Sequence, residues 1–226
     1  RQTYTIDANW KLVLENYLEC YHCATSHREY AKLHTFKDLH ENVAPMVEAM
    51  LEQSDRVTGV SGMSKQYTRI YQDAEGFGAC VHTMRYGLFE GNVTGSKGGQ
   101  PVAPLMGNIK AYDGGAGDYQ MGPLTFMLNY PDHCVLYRFL PKSLTETDVE
   151  LVWFVRGDAV EGVDYQREDL IWLWDHTTKE DEYIILRNNA GVNSRFFEPG
   201  PYHPEFEATL QKFVGWYLHT LEHVTG

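Results

Sequence analysis

Hydrophobic and polar positions change period twice along this chain. Residues 3–8 (TYTIDA) alternate as a short strand does. From Trp10 to about Ser26, Leu12, Leu14, Leu18 and Tyr21 fall among polar residues at helical spacing. Residues 38–52 are mixed and interrupted by Pro45, and predict irregular chain or a short helix. Strand patterns follow at 66–72, 77–89, 123–130, 133–140 and 147–156. The Gly-rich stretch 91–122 reads as loop around a short strand, and Pro131-Asp132 as a tight turn between two strands. Helical spacing then returns over 163–189 and 204–223, with Pro204 suited to a first turn and a Pro-Gly-Pro loop between the two. This order predicts an α+β fold: an antiparallel meander with helices segregated to one side. No repeat or linker divides residues 1–226, which are expected to form one domain.

Composition narrows the function. Of 226 residues, 43% are hydrophobic, enough for a substantial core, and the formal charge is −12 with a pI near 5.2. Such an acidic chain lacks the basic stripes that displace counterions from nucleic acid, so no nucleic-acid partner is expected. No apolar run is long enough to span a membrane. The chain opens Arg1-Gln2-Thr3-Tyr4, without initiator Met or signal peptide, and is expected to begin mid-protein. Cysteines at 20, 23, 80 and 134 are too few for a disulfide scaffold, and reduced, cytoplasmic thiols are expected.

The densest chemistry lies in Glu19-Cys20-Tyr21-His22-Cys23-Ala24-Thr25-Ser26-His27. On a helix Glu19 and His22 share a face. His22 and His27 would point about 140° apart at about 3.6 residues per turn, so one metal could take both only where the helix bends or ends. Thr25-Ser26, whose hydroxyls compete for backbone hydrogen bonds, is the expected place. Zinc would need a second ligand pair beyond Cys20 and Cys23. No Cys is followed three residues later by His, so these residues hold no Rieske cluster. Two imidazoles and one carboxylate form the facial set of non-haem Fe(II) oxygenases, which leaves the opposite side open for O₂. Asp175, Glu180, Asp181 and Glu182 on the long helix are all candidates for the carboxylate.

One resemblance is specific. Asn9-Trp10-Lys11, Glu15-Asn16 and Glu19-x-Tyr21-His22-x₄-His27, with Thr178-x-Glu180-Asp181, Asn189-x-Gly191-x-x-Ser194 and Pro199-Gly200-Pro201, resemble the catalytic domain of the α subunit of Rieske-type aromatic-ring-hydroxylating oxygenases. The Glu-x-Tyr-His-Cys form and the size resemble the branch acting on glycine betaine, carnitine or proline betaine; other members hydroxylate or O-demethylate aromatics, so the resemblance implies a small aromatic or quaternary-amine substrate. The resemblance implies that His22, His27 and Asp181 bind Fe(II), and that Glu19 bridges toward a Rieske cluster on a neighbouring subunit. It implies a helix-grip fold, a homotrimer, and a 2Fe-2S Rieske domain that normally precedes this one and is absent from this chain. It also implies electrons from NAD(P)H through a separate reductase. Cation recognition suits aromatic faces, and Phe126, Tyr130, Tyr137, Phe139 and Trp153 lie on expected strands as candidate substrate contacts. The competing readings are a non-catalytic helix-grip ligand-binding domain, with the histidines as wall residues, and a structural zinc site.

Overall fold

The computed structural model describes residues 1–38, 40–65, 81–204 and 206–224. Among them six antiparallel strands form one sheet: β1 (Gln2–Ile6), β2 (Val81–Gly87), β3 (Gly115–Met121), β4 (Thr125–Asn129), β5 (Cys134–Pro141) and β6 (Thr147–Phe154). Their order is β1-β6-β5-β4-β3-β2. The meander β2 to β6 is therefore closed at its β6 edge by the N-terminal strand. The expected α+β architecture holds, and the strands expected at 123–130, 133–140 and 147–156 are β4, β5 and β6. The strand expected at 66–72 lies outside the described residues, as do the first residues of 77–89.

Side chains alternate across the sheet. One face presents Tyr86 on β2, Asp118 on β3, Phe126 and Leu128 on β4, Tyr137 and Phe139 on β5, and Leu151 on β6. Helices α1 (Trp10–Leu18) and α5 (Arg167–Val192) cover that face. Tyr17 of α1 packs 4.5 Å from the Phe126 ring and 5.2 Å from Tyr137, and Trp174 of α5 lies 5.9 Å from Tyr137. At 26 residues α5 is about 39 Å long, and its buried Leu170, Leu173, Trp174, Thr177, Thr178 and Ile185 form one stripe. The last helix, α6 (Ala208–Val224), begins later than expected. Pro204 lies in the turn before it, where Glu207 N donates to His203 O at 3.1 Å. No helix among the described residues is long and apolar enough to cross a membrane.

Two expectations are corrected here. Residues 40–58 form a full helix, α4 (His40–Thr58), with Pro45 inside it. Pro45 falls just past the first turn and removes one hydrogen bond, while Val43, Val47 and Met50 bury at helical spacing and hold the rest. Nor do all helices lie on one side. Ser54 of α4 accepts from Arg85 Nη1 at 3.2 Å, and Arg85 alternates with Tyr86 to the opposite face. A buried Arg85–Asp113 pair at 2.8 Å anchors that side.

Beneath the helices, His34 is fully buried. Its Nδ1 donates to Tyr30 O at 3.0 Å, and Tyr130 Oη donates to its Nε2 at 2.8 Å. Burial pushes its pKa down to about 4, against some opposition from the Tyr30 carbonyl. Unfolded histidine titrates near 6.5, so between these values the unfolded chain binds a proton that the folded chain refuses. The stability His34 contributes is complete above pH 6.5 and falls as pH drops toward 4, by up to about 3 kcal/mol. Urea unfolding at pH 7 and at pH 4.5 should show a smaller loss in His34→Gln than in the wild type. Equal losses in both would contradict this.

Candidate active site

The first histidine is set by a helix break, not by a bend. Asn9 caps α1 by accepting from Lys11 N at 3.0 Å. The helix ends at Leu18, because Glu19 turns to extended backbone (φ −129°, ψ 157°). His22 then opens a single-turn helix, α2 (Cys23–Ser26), and His27 (φ −117°, ψ 76°) separates it from α3 (Arg28–Leu33). The helix expected to run to Ser26 is thus interrupted at 19–22, and the second break falls at His27 rather than Thr25-Ser26. Cys20 and Cys23 are bridged, with Cα atoms 5.0 Å apart. That corrects the expectation of reduced thiols at this pair, and it removes both as thiolate ligands. Among the described residues Cys134 is the free cysteine.

These breaks bring together side chains that a straight helix would separate. His22 Nε2 and His27 Nε2 are 3.0 Å apart. Asp181 Oδ1, from α5, lies 3.0 Å from His27 Nε2 and 3.4 Å from His22 Nε2. Cys23 Sγ is more distant from His22 Nε2, at 3.9 Å, and is already bonded. Three ligand atoms at about 2.1 Å from a metal and at right angles to one another stand about 3.0 Å apart, so the triangle fits a facial set.

The outward nitrogens are held by carboxylates. His22 Nδ1 donates to Glu19 Oε1 at 2.5 Å, and Glu19 Oε2 accepts from Tyr21 N at 2.9 Å. His27 Nδ1 donates to Glu180 Oε2 at 2.9 Å. Both contacts place a proton on Nδ1 and aim the Nε2 lone pairs inward, the usual arrangement of metal-binding histidines. Asn16 Nδ2 donates to Asp181 Oδ1 at 2.6 Å and orients the carboxylate.

Charge follows the same geometry. Burial disfavours a proton on His22, but the carboxylates of Asp181 and Glu19 outweigh it and push the pKa up to about 9. For His27 burial is likewise overcome, mainly by Asp181, and the pKa rises. Burial works against ionised Asp181, yet hydrogen bonds from His22 and His27 hold its carboxyl below the usual range. Two imidazoles gathered on one carboxylate, each with its own acidic partner, form a site built to hold positive charge. A metal there would displace protons from the inner nitrogens.

The other sequence candidates lie elsewhere. Asp175 accepts from Tyr4 Oη at 2.6 Å and from Lys179 Nζ at 2.8 Å, on another flank of α5. Glu180 backs His27 instead of joining the triangle, because one residue along a helix turns about 100°. Sequence reasoning missed that role, and Asn16's, although both residues stand in the motifs already singled out. Tyr137 and Phe139 border a narrow void of about 20 Å³ behind Asp181. Phe126 packs on Tyr17, Tyr130 reaches His34, and Trp153 is partly buried against the core. A cavity of about 50 Å³ adjoins His22, His27 and Asp181, with Tyr17, Tyr30, Tyr86, Trp174 and Asp118 in its wall.

Comparison with known proteins decides the family. The profile described as ring hydroxylating alpha subunit (catalytic domain) matches residues 1–223. The chain belongs to this family. Among curated relatives of this ring-hydroxylating domain, the glycine betaine monooxygenase oxygenase subunit of Pseudomonas aeruginosa is 35% identical over 211 residues, covering 93% of this chain and 48% of that protein. The same-named subunit of Chromohalobacter salexigens is 34% identical over 215 residues, covering 95% and 47%. The chain therefore spans about half the length of the curated relatives it matches. Among solved structures, a quaternary ammonium Rieske monooxygenase studied for carnitine oxidation by gut microbiota superposes with a TM-score of 0.55 at 13% identity, covering 96% of this chain and 49% of that one. At that identity the likeness shows the shared fold.

Proposed function

We propose that this ring-hydroxylating α-subunit domain is the iron-bearing part of an oxygenase that uses O₂ to hydroxylate or oxidatively demethylate a small quaternary amine. The observation that carries the reading is the triangle of His22 Nε2, His27 Nε2 and Asp181 Oδ1, with sides of 3.0, 3.0 and 3.4 Å. The relatives' names support the substrate class. The non-catalytic alternative is not favoured, and the bridged cysteines leave a zinc site short of ligands.

In this reading His22, His27 and Asp181 hold Fe(II) and leave the cavity side open. Iron, when bound, supplies the redox chemistry that activates O₂. The chain's own residues position it. Glu19 and Glu180 keep the protons of His22 and His27 on Nδ1, and Asn16 holds Asp181 turned toward both rings. Tyr17, Tyr30, Tyr86 and Trp174 line the space where a substrate methyl would approach, and limit water there. Phe126 and Tyr137 back this wall through Tyr17 and Trp174 without lining the cavity, and Tyr130, Phe139 and Trp153 do not line it either. Glu19, at the break of α1, joins the site to a Rieske domain of a neighbouring subunit in a homotrimer. Electrons reach that domain's 2Fe-2S cluster from NAD(P)H through a reductase. The sheet curving around α5 is of the helix-grip type.

The test uses the protein with its Rieske domain and a reductase. Iron near one per chain beyond the cluster, equal in wild type and in Cys20→Ser/Cys23→Ser, is expected. So is glycine betaine-dependent release of formaldehyde with NAD(P)H consumption. Zinc in place of iron, or iron lost with the cysteines, would overturn the reading.

A further inference from the structure

One carboxylate in the cavity wall has an oxygen that makes no hydrogen bond among the described residues. Asp118, on β3, points between Met84 and Leu128 to the helix-covered face of the sheet. Its Oδ1 is buried and makes no hydrogen bond among the described residues, and neither does the Tyr17 hydroxyl. A buried carboxylate oxygen without a hydrogen bond is uncommon and costly, so it calls for an explanation. Burial pushes its pKa up to about 7, with Tyr17 and the Tyr119 amide close enough to oppose the shift. Its charge in turn adds to burial in raising the hydroxyls of Tyr17, Tyr30 and Tyr86. No lysine or arginine is among the described residues of the wall. The positive side of the cavity is the His22–His27 end, where Asp181, Glu19 and Glu180 already balance the charge.

We infer that Asp118 is the counter-charge for the ammonium head of the substrate, seated among Tyr17, Tyr30, Tyr86 and Trp174. This rests on the quaternary-amine reading above and names the residue that would enforce it. The aromatic faces attract any cation through their quadrupoles, and a buried carboxylate beside them adds a net charge that only a cation can neutralise. The cavity beside these rings measures about 50 Å³.

The experiment separates charge from shape. Choline and its neutral isostere 3,3-dimethylbutan-1-ol are titrated calorimetrically into the iron-loaded, full-length protein under anaerobic conditions. Asp118→Asn should weaken choline by about 10–100-fold and leave the neutral isostere within about twofold. Asp118→Glu, which keeps the charge, should retain the preference for choline, and iron content and melting temperature report folding of both variants. Equal losses for both ligands would mean that Asp118 only shapes the wall, and an unchanged choline affinity would remove it from recognition. Either result overturns the inference while the quaternary-amine reading stands. If the wild type binds neither choline nor glycine betaine, both fall together.

Discussion

Asp181→Ala should strip iron from the purified protein, whereas Asp175→Ala should leave the iron content unchanged. Asp181 supplies the one anionic corner of the triangle, within 3.4 Å of both inner nitrogens. Without it two imidazoles remain, and nothing nearby replaces the carboxylate, since Glu180 is committed to His27 Nδ1. Asp175 sits about 1.7 turns earlier, on another flank of α5, tied to Tyr4 and Lys179. Its removal costs surface and edge contacts only. Metal analysis after chelation and reloading reads the difference directly. Iron retained in Asp181→Ala, or lost in Asp175→Ala, would mean that the long helix presents a different acid to the site.

The second large effect concerns Glu19, which the structure ties up on both oxygens. Removing it outright, as in Glu19→Ala, takes away the acceptor that orients His22, and losses of this kind run at about 10–100-fold in metal affinity. Glu19→Gln is more informative. An amide oxygen still accepts from His22 Nδ1, so the metal stays, but the negative charge is gone. If Glu19 carries the electron route, the full-length Glu19→Gln protein keeps iron, cluster and substrate affinity, and its cluster is still reduced by the reductase. Product in a single turnover from pre-reduced protein should nonetheless form far more slowly than in the wild type. A near-normal single-turnover rate would confine Glu19 to orienting His22.

Period along the chain was enough to place most elements. Alternation over 123–130, 133–140 and 147–156 marks β4, β5 and β6, because a strand half-covered by helices must bury every second residue. The proposed ligand set of His22, His27 and Asp181 came from resemblance, and periodicity alone left Asp175, Glu180, Asp181 and Glu182 open as the carboxylate. In the structure Asp181 falls on the buried stripe of Leu173, Trp174, Thr177, Thr178 and Ile185, while Asp175 and Glu180 lie off its centre. An acid on the apolar stripe of a long helix is costly unless something positive meets it.

What the tertiary structure decided lies wherever one element must meet another far along the chain. Helical period alone puts His22 and His27 apart, and only the break at Glu19–His22 turns both Nε2 atoms inward. The Cys20–Cys23 bridge, the seat of α4 on the far face and the partners of Glu180 and Asn16 are likewise set by packing. So is the burial of Asp118 Oδ1 without a hydrogen bond among the described residues. In sequence it is one acid in a Gly-rich stretch, of the kind usually solvated, and alternation does not say which face of β3 the helices will cover. Periodicity records which residues avoid water; which polar groups are buried together depends on distances between elements that no local pattern contains.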